Sequence, residues 1–187
     1  YALKIEQWMQ RNATEIGKWF STLAQFDALV SMGTFTSNNP DYVFPVCEES
    51  EPFRAEKLGH PLIPRNKCVK NDIALLRKPY FMIVTGANMA GKSTYLRTVG
   101  VNYLLAGSGL PVCAESMSYR PGELLTNLRT ADSLVNNESY FFAELKRLKM
   151  IIERLESNEH DLFIILDEIL KGTNSVDKQW GSYQLMK

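Results

Sequence analysis

The stretch that decides the fold is Gly86-Ala87-Asn88-Met89-Ala90-Gly91-Lys92-Ser93, which matches the pattern G-x-x-x-x-G-K-[ST]. The two glycines let the backbone curl so that its N–H groups face a phosphate chain at the positive end of the following helix. In such a loop Lys92 can reach the β- and γ-phosphates, and the Ser93 hydroxyl can bind Mg²⁺. The pattern predicts a nucleotide site, and the alternative is a glycine-rich turn that carries a solvated lysine.

The residues on either side of this loop favour the nucleotide site. The apolar run Tyr80-Phe81-Met82-Ile83-Val84 predicts a buried strand, and the residues from Lys92 to Leu105 predict a helix. A phosphate loop requires a strand before it and a helix after it. The accidental turn therefore becomes the weaker interpretation.

A second signal is the apolar run from Leu162 to Leu166, which ends in Asp167-Glu168. A buried strand of a parallel sheet delivers the residues at its carboxyl end to the edge where ligands bind. We expect Asp167 to hold Mg²⁺ and Glu168 to act as the base that polarises a water in line with the γ-phosphate. A water-activating base indicates an ATPase rather than a kinase, although Glu168 as a simple strand cap stays an alternative.

A third signal is Ser139, which precedes an apolar stripe at helical spacing that runs to about residue 155. The stripe consists of Phe141, Leu145, Leu148, Ile152 and Leu155. Serine is a favoured N-cap residue, which explains Ser139 without any ligand. A helix N-terminus headed by serine also binds phosphate, so a contact with a partner's nucleotide remains open.

The rest of the chain predicts an α/β fold. Apolar residues recur at helical spacing through residues 1–32, as in a long helix that either faces a core or connects to another domain. Residues 34–66 contain five prolines and predict loops with short edge strands. Val112 and Ala114 lie in a further strand candidate. Strands separated by helices predict a largely parallel sheet that is flanked by helices.

Composition bounds the class of protein. The chain has 187 residues, of which 45% are hydrophobic, and its 21 basic and 21 acidic side chains give a net charge of zero. These values exclude disorder, a collagen-like repeat and a disulfide scaffold. Neutrality argues against a domain that itself wraps nucleic acid. The three cysteines lack metal-ligand spacing and are expected to be reduced thiols, as in a cytoplasmic domain.

Taken together, the motifs resemble the ATPase domain of MutS-family mismatch-repair proteins. Residues 85–97 are similar to the Walker A segment of that family, and residues 167–173 to its Walker B motif and D-loop. The other similar segments are residues 60–62 and 70–73 before the loop, residues 132–145 at the ABC-type signature, and residues 25–29 at the end of the lever helix. The resemblance therefore spans almost the whole chain.

This resemblance implies a P-loop NTPase of the ABC type. Residues 1–32 would be a connector helix, and residues 33–187 an ATPase domain that is incomplete at its C-terminus. The cofactors would be ATP, held by the loop residues from Gly86 through Thr94, and Mg²⁺, held by Ser93 and Asp167. Asn88 would help to bind the γ-phosphate, and Val69 would lie near the adenine.

The resemblance also implies partners. The domain would dimerise with itself or with a MutS-like subunit, and Ser139 would reach the partner's nucleotide in trans. Catalysis would then involve Glu168, Lys92 and Ser139. DNA would be contacted through domains that are absent from this chain, with the ATP state coupled to the movement of a clamp.

Several residues depart from the family pattern. Ala87 and Ala90 replace a proline and a glycine, Cys68 replaces an aromatic residue, and Glu138 replaces an arginine. These changes predict a divergent branch. Because the sequence ends at Lys187, before the family's next strand and its C-terminal helix-turn-helix segment, we also expect weak nucleotide binding and slow hydrolysis by this chain alone. One alternative is an ABC-type ATPase of another system, which needs a glycine-led signature that residues 136–140 lack. The other is a nucleotide-gated interaction module without hydrolysis, which the negative charge of Glu138 favours.

Overall fold

The computed structural model describes residues 1–50, 52–75, 80–87, 89–128, 140–157, 161–170, 180–181 and 183. The described helices are α1 (Ala2–Asn38), α2 (Lys92–Gly107) and α3 (Tyr140–Ser157). The described strands are β1 (Val46–Cys47), β2 (Phe53–Leu58), β3 (Asn71–Leu75), β4 (Ser116–Tyr119), β5 (Glu123–Asn127) and β6 (Leu162–Leu166). The chain divides into two units, Tyr1–Tyr42 and Val43–Lys187.

The first unit consists mainly of α1, which continues to Asn38, beyond the predicted connector 1–32. None of its residues is buried, and large apolar side chains such as Trp8, Phe20 and Phe26 are exposed. The periodic apolar residues therefore form a helix, as predicted. Its role as a connector stays a prediction.

The second unit contains two sheets. A four-stranded sheet has the order β1-β4-β2-β3, and a two-stranded sheet consists of β5 and β6. β2 runs antiparallel to both β3 and β4, whereas β1 and β4 are parallel and so are β5 and β6. The α/β class is confirmed, but the prediction of a largely parallel sheet is wrong, because the four-stranded sheet is mixed.

The error has a local cause. We expected residues 34–66 to form loops and edge strands because of their prolines, but Pro52 lies just before β2 and Pro61 after it. β2 therefore contains no proline and pairs with neighbours on both sides, with one irregularity between Ala55 and Leu58. The parallel rule holds for β5 and β6, which α3 separates along the chain.

Two other predicted strands differ from the structure. Residues 80–84 form no strand, and Phe81 and Ile83 are 59% and 64% exposed instead of buried. Apolar composition alone does not make a strand, since the backbone must also find a pairing partner. At the second candidate, Val112 forms only an isolated antiparallel bridge with Val43, and the strand itself, β4, begins at Ser116.

The core of this unit lies between α2 and the two sheets. Its buried residues include Phe53 of β2, Val99 and Tyr103 of α2, and Ile165 of β6. Gly100 permits close packing of α2 on β6, because a Cβ at this position would lie 3.1 Å from the Cδ1 atom of Ile165. The core therefore holds the middle of α2 against the sheets, and the 86–93 loop leads into the N-terminal end of this helix. Among the described residues, no helix is both long and apolar enough to cross a membrane.

Candidate functional site

The 86–93 loop leads directly into α2. Gly91 is the N-cap residue and has a left-handed backbone, with φ +85°, which glycine adopts without strain. The first turn of α2, which is fully described, contains no acidic residue. The positive end of the helix dipole therefore faces the loop without a carboxylate of its own to neutralise it.

Lys92 holds the loop in its curled form. Its Nζ atom donates hydrogen bonds to the carbonyl oxygens of Gly86 at 2.7 Å and Ala87 at 2.8 Å. A further bond, from the N–H of Ala90 to the carbonyl oxygen of Ala87, closes the middle of the loop at 3.2 Å. The lysine ammonium and the amide dipoles of α2 thus lie at the same end of the helix, an arrangement that suits an anion.

The other loop residues vary in exposure. Met89 is fully exposed and has a φ of +64°, Ser93 is half-buried, and Thr94 is exposed. Asn88, which we expect to help bind the γ-phosphate, lies outside the described residues. The hydroxyl of Ser93 stays a predicted Mg²⁺ ligand.

A cavity of about 580 Å³ opens beside this loop. Its size falls within the range of small-molecule sites. Val69, which we expect near the adenine, lines the same cavity as Gly91, Lys92 and Thr94. Its other lining residues are His60, Ile63, Lys67, Asn71, Asp72, Val84, Thr85, Ala90, Tyr95 and Thr98.

Asp72 fixes one wall of the cavity. Its carboxylate accepts a hydrogen bond from the N–H of Lys57 at 2.8 Å, and its carbonyl oxygen accepts one from the Tyr95 hydroxyl at 3.3 Å. Burial raises the pKa of Tyr95, and the charge of Asp72 adds to the effect. Tyr95 therefore keeps its proton and links α2 to β3.

His60 contributes a neutral polar group to the cavity. Burial lowers its pKa, and the positive charge of Arg97 lowers it further. The Nδ1 atom accepts a hydrogen bond from the N–H of Leu62 at 3.2 Å, which leaves Nε2 as the protonated nitrogen. The spacing of His60 to other residues does not predict a metal ligand. The resemblance of residues 60–62 and 70–73 to family segments that precede the phosphate loop does indicate that both segments lie near the nucleotide.

The carboxylates Asp167 and Glu168 follow β6, as predicted. The N–H of Asp167 donates to the carbonyl oxygen of Asn127 at 3.0 Å, which extends the pairing of β5 and β6 by one residue. Asp167 is half-buried, and Glu168 is exposed. Neither residue is among the described residues that line the 580 Å³ cavity, so their placement over the phosphates stays a prediction.

Ser139, the third predicted element, lies outside the described residues. The helix that follows it is present, since α3 begins at Tyr140 and ends at Ser157. Its buried face matches the predicted stripe only at Leu148. Ile151, which is outside the stripe, is buried, whereas Leu145, Ile152 and Leu155 are partly exposed. Sequence reasoning missed the acidic residue on the buried face, Glu144, which is 7% exposed.

Comparison with known proteins identifies similar sequences. The family model for MutS domain V matches residues 82–184. The chain is 32% identical over 176 residues to the DNA mismatch repair protein MSH3 of Vanderwaltozyma polyspora, which covers 91% of this chain and 17% of that protein. It is 32% identical over 181 residues to the DNA mismatch repair protein MutS of Clostridioides difficile, covering 94% and 19%, respectively. It is also 31% identical over 165 residues to MutS of Fusobacterium nucleatum, covering 86% and 18%. The chain therefore spans about a fifth of the length of these relatives.

Proposed function

The chain belongs to the MutS family, and we propose that it is the ATP-binding and ATP-hydrolysing domain of a mismatch-repair protein that couples its nucleotide state to movement on DNA. The observation that carries this proposal is the shared cavity of Lys92, Gly91 and Val69 at the positive end of α2. A lysine and a helix N-terminus suit the phosphates, and an aliphatic wall suits the base.

Within this proposal the loop residues bind the nucleotide. Lys92 exchanges its bonds to the carbonyl oxygens of Gly86 and Ala87 for the β- and γ-phosphates, which attract its ammonium more strongly than neutral carbonyls do. The backbone of the 86–93 loop and Thr94 surround the phosphates, with Asn88 at the γ-phosphate. Val69 contacts the adenine.

In this proposal Ser93, Asp167 and Glu168 act on the metal ion and on the attacking water. Ser93 and Asp167 offer a hydroxyl and a half-buried carboxylate, which are oxygen donors of the kind that Mg²⁺ prefers. The ion would neutralise the negative charge that develops on the phosphate oxygens. Glu168 accepts a proton from the water that attacks the γ-phosphate.

The proposed partners follow from the family. Relatives are named DNA mismatch repair proteins, and this chain spans about a fifth of their length. We assign DNA contacts to other parts of the protein, in agreement with the zero net charge of this chain. A second MutS-type subunit would receive Ser139 at its nucleotide.

A second candidate function is a nucleotide-gated interaction module without hydrolysis. One observation favours it: Asp167 and Glu168 are not among the described residues that line the cavity beside the 86–93 loop. Under this alternative the chain binds ATP through Lys92, but Glu168 has no role in turnover.

Two measurements on the intact protein test the proposal. Titration with a fluorescent ATP analogue and Mg²⁺ should show at least a tenfold weaker affinity for Lys92→Ala, because a lysine bound to phosphate is worth more than about 1.4 kcal/mol. Lys149→Ala is the matched control, since Lys149 lies exposed on α3 and pairs with Glu153. Equal affinities of the wild type and Lys92→Ala would contradict the proposed site.

Single-turnover hydrolysis separates the two candidate functions. Glu168→Ala should bind ATP as the wild type does and lose about 100-fold or more of the hydrolysis rate, as expected for a general base. If the wild type and Glu168→Ala are equally inactive while ATP still binds, the interaction module is the correct function.

A further inference from the structure

The turn after β6 has an unusual backbone. Glu168 and Leu170 both have left-handed φ angles, of 48° and 58°. Residues other than glycine rarely adopt this region, and they keep it only where their surroundings hold them. The backbone around Glu168 therefore needs an external support.

That support is a hydrogen bond from α3. The N–H of Leu170 donates to the Oε1 atom of Glu144 at 2.6 Å. At the other end of the turn, the N–H of Asp167 donates to the carbonyl oxygen of Asn127. Glu168 lies between these two anchors, one from the strand pairing and one from a side chain of α3.

Glu144 is the exception on the buried face of α3. It shares that face with Leu148 and Ile151, and only 7% of it is exposed. Burying a carboxylate is costly, and its Oε2 atom finds no hydrogen-bond partner within the described part of the chain. An apolar residue would serve packing better at this position, so the carboxylate indicates a functional constraint.

We propose that Glu144 is a positioning residue, which holds the Asp167–Leu170 turn so that Glu168 keeps its orientation toward the attacking water. This inference rests on the proposed ATPase function. A hydrogen bond from a backbone N–H to a side-chain oxygen is directional, as this role requires, and here it measures 2.6 Å. Glu144 acts through the turn and does not itself contact the nucleotide.

The position of Glu144 along α3 gives the bond a second consequence. α3 begins at Tyr140, directly after Ser139, and Glu144 lies one turn further along. A helix moves as a rigid element, so a displacement of its first turn by a partner's nucleotide would also displace Glu144. The bond to Leu170 would carry that displacement to the Asp167-Glu168 pair.

Steady-state and single-turnover ATP hydrolysis by the intact protein test this role. Glu144→Ala should lower kcat by about 10- to 100-fold, since a misplaced catalytic group costs about that much. The dissociation constant for ATP should stay within about twofold, because the 86–93 loop is untouched. Glu144→Gln keeps an oxygen that can accept the Leu170 N–H, so its kcat should stay within about threefold of the wild type. Glu156→Ala, at an exposed position of α3, is the matched control.

The outcomes separate this inference from the proposed function. If the wild type hydrolyses ATP and Glu168→Ala does not, but Glu144→Ala keeps the wild-type kcat, the positioning role is wrong and the ATPase function stands. A fall in melting temperature with unchanged kcat also refutes the role. If the wild type does not hydrolyse ATP at all, both proposals fail.

A third variant keeps the test valid if Glu144→Ala does not fold. Glu144→Asp retains a carboxyl group but withdraws it by one methylene, so it should lower kcat while Glu144→Gln does not. The reverse order would show that the charge matters rather than the bond to Leu170, and would overturn the positioning role.

Discussion

Two residues at the start of α2 shape the 86–93 loop in different ways. Lys92 pulls the loop inward through its side chain, whereas Gly91 turns the backbone into the helix with φ +85°. A Cβ added at Gly91 would meet no atom within 4 Å, so the need for glycine is conformational and not steric. The energetic value of Gly91 can therefore be measured without a clash.

Gly91→Ala should destabilise the protein by about 1–2 kcal/mol, the cost of left-handed backbone for an L-residue. Gly107→Ala is the matched variant, since Gly107 ends α2, also has no atom near its added Cβ, and has no positive φ. It should instead stabilise the protein by about 0.4–1 kcal/mol. Urea unfolding without nucleotide measures both changes, and the same sign for both would contradict the backbone argument.

Among the single elements, α3 shows that a sequence pattern can predict a helix without predicting which of its faces is buried. The helical period is local, so the existence of the helix could be predicted from the spacing of its apolar residues. Its orientation is not local. The buried face contains Glu144, Leu148 and Ile151, of which only Leu148 belongs to the predicted stripe, because tertiary packing decides which face turns inward.

Neighbouring isoleucines of α3 test that orientation. Ile151 is 1% exposed and Ile152 is 39% exposed. Ile151→Ala should cost about 2–5 kcal/mol of unfolding free energy, because it opens a cavity in a packed interior. Ile152→Ala removes the same atoms from a half-open surface and should cost clearly less. Chemical denaturation of both variants measures the difference. Equal costs would contradict the observed orientation, and a larger cost for Ile152→Ala would place the interior on the predicted stripe.

For the strands and the site, too, local patterns could be predicted from the sequence and contacts between distant segments could not. The 86–93 loop could be recognised because its spacing is contiguous in sequence, and α2 follows from it. Residues 80–84 could not be placed, because a strand needs a partner whose position no local pattern gives. The cavity wall at His60 and Asp72 lies far from the loop along the chain, so its residues could be suspected only from the family resemblance.

For the Val43–Lys187 unit as a whole, an aromatic cluster joins α2 to both sheets. Tyr103 stacks on Phe163 of β6 with ring centroids 4.4 Å apart, and it meets Tyr119 of β4 edge to face at 5.8 Å. Phe53 of β2 lies 5.3 Å from Phe163. No pattern in the sequence predicts this cluster, since its members come from four separate elements. The cluster packs both sheets against α2, the helix that follows the 86–93 loop.

The protonation of Tyr103 links this cluster to pH. Burial raises the pKa of Tyr103 to about 12, with smaller contributions from Tyr119 and Asp161. Its hydroxyl donates to the carbonyl oxygen of Arg120 at 2.8 Å. Because the folded pKa lies above the ordinary value of 10.0, the folded state holds the phenol proton more tightly than the unfolded chain does. The stabilisation is complete below pH 10 and is lost as the pH rises through about 12.

Urea midpoints measured from pH 8 to pH 12 check this expectation. The midpoint of the wild type should fall more steeply above pH 10 than that of Tyr103→Phe, which has no phenol to ionise. At pH 8 the variant should be less stable by about 1 kcal/mol, the value of the lost hydrogen bond. Tyr183→Phe, at an exposed tyrosine, should follow the wild type at every pH. Parallel curves for the wild type and Tyr103→Phe would contradict the raised pKa of Tyr103, because the two proteins differ only in the phenol hydroxyl.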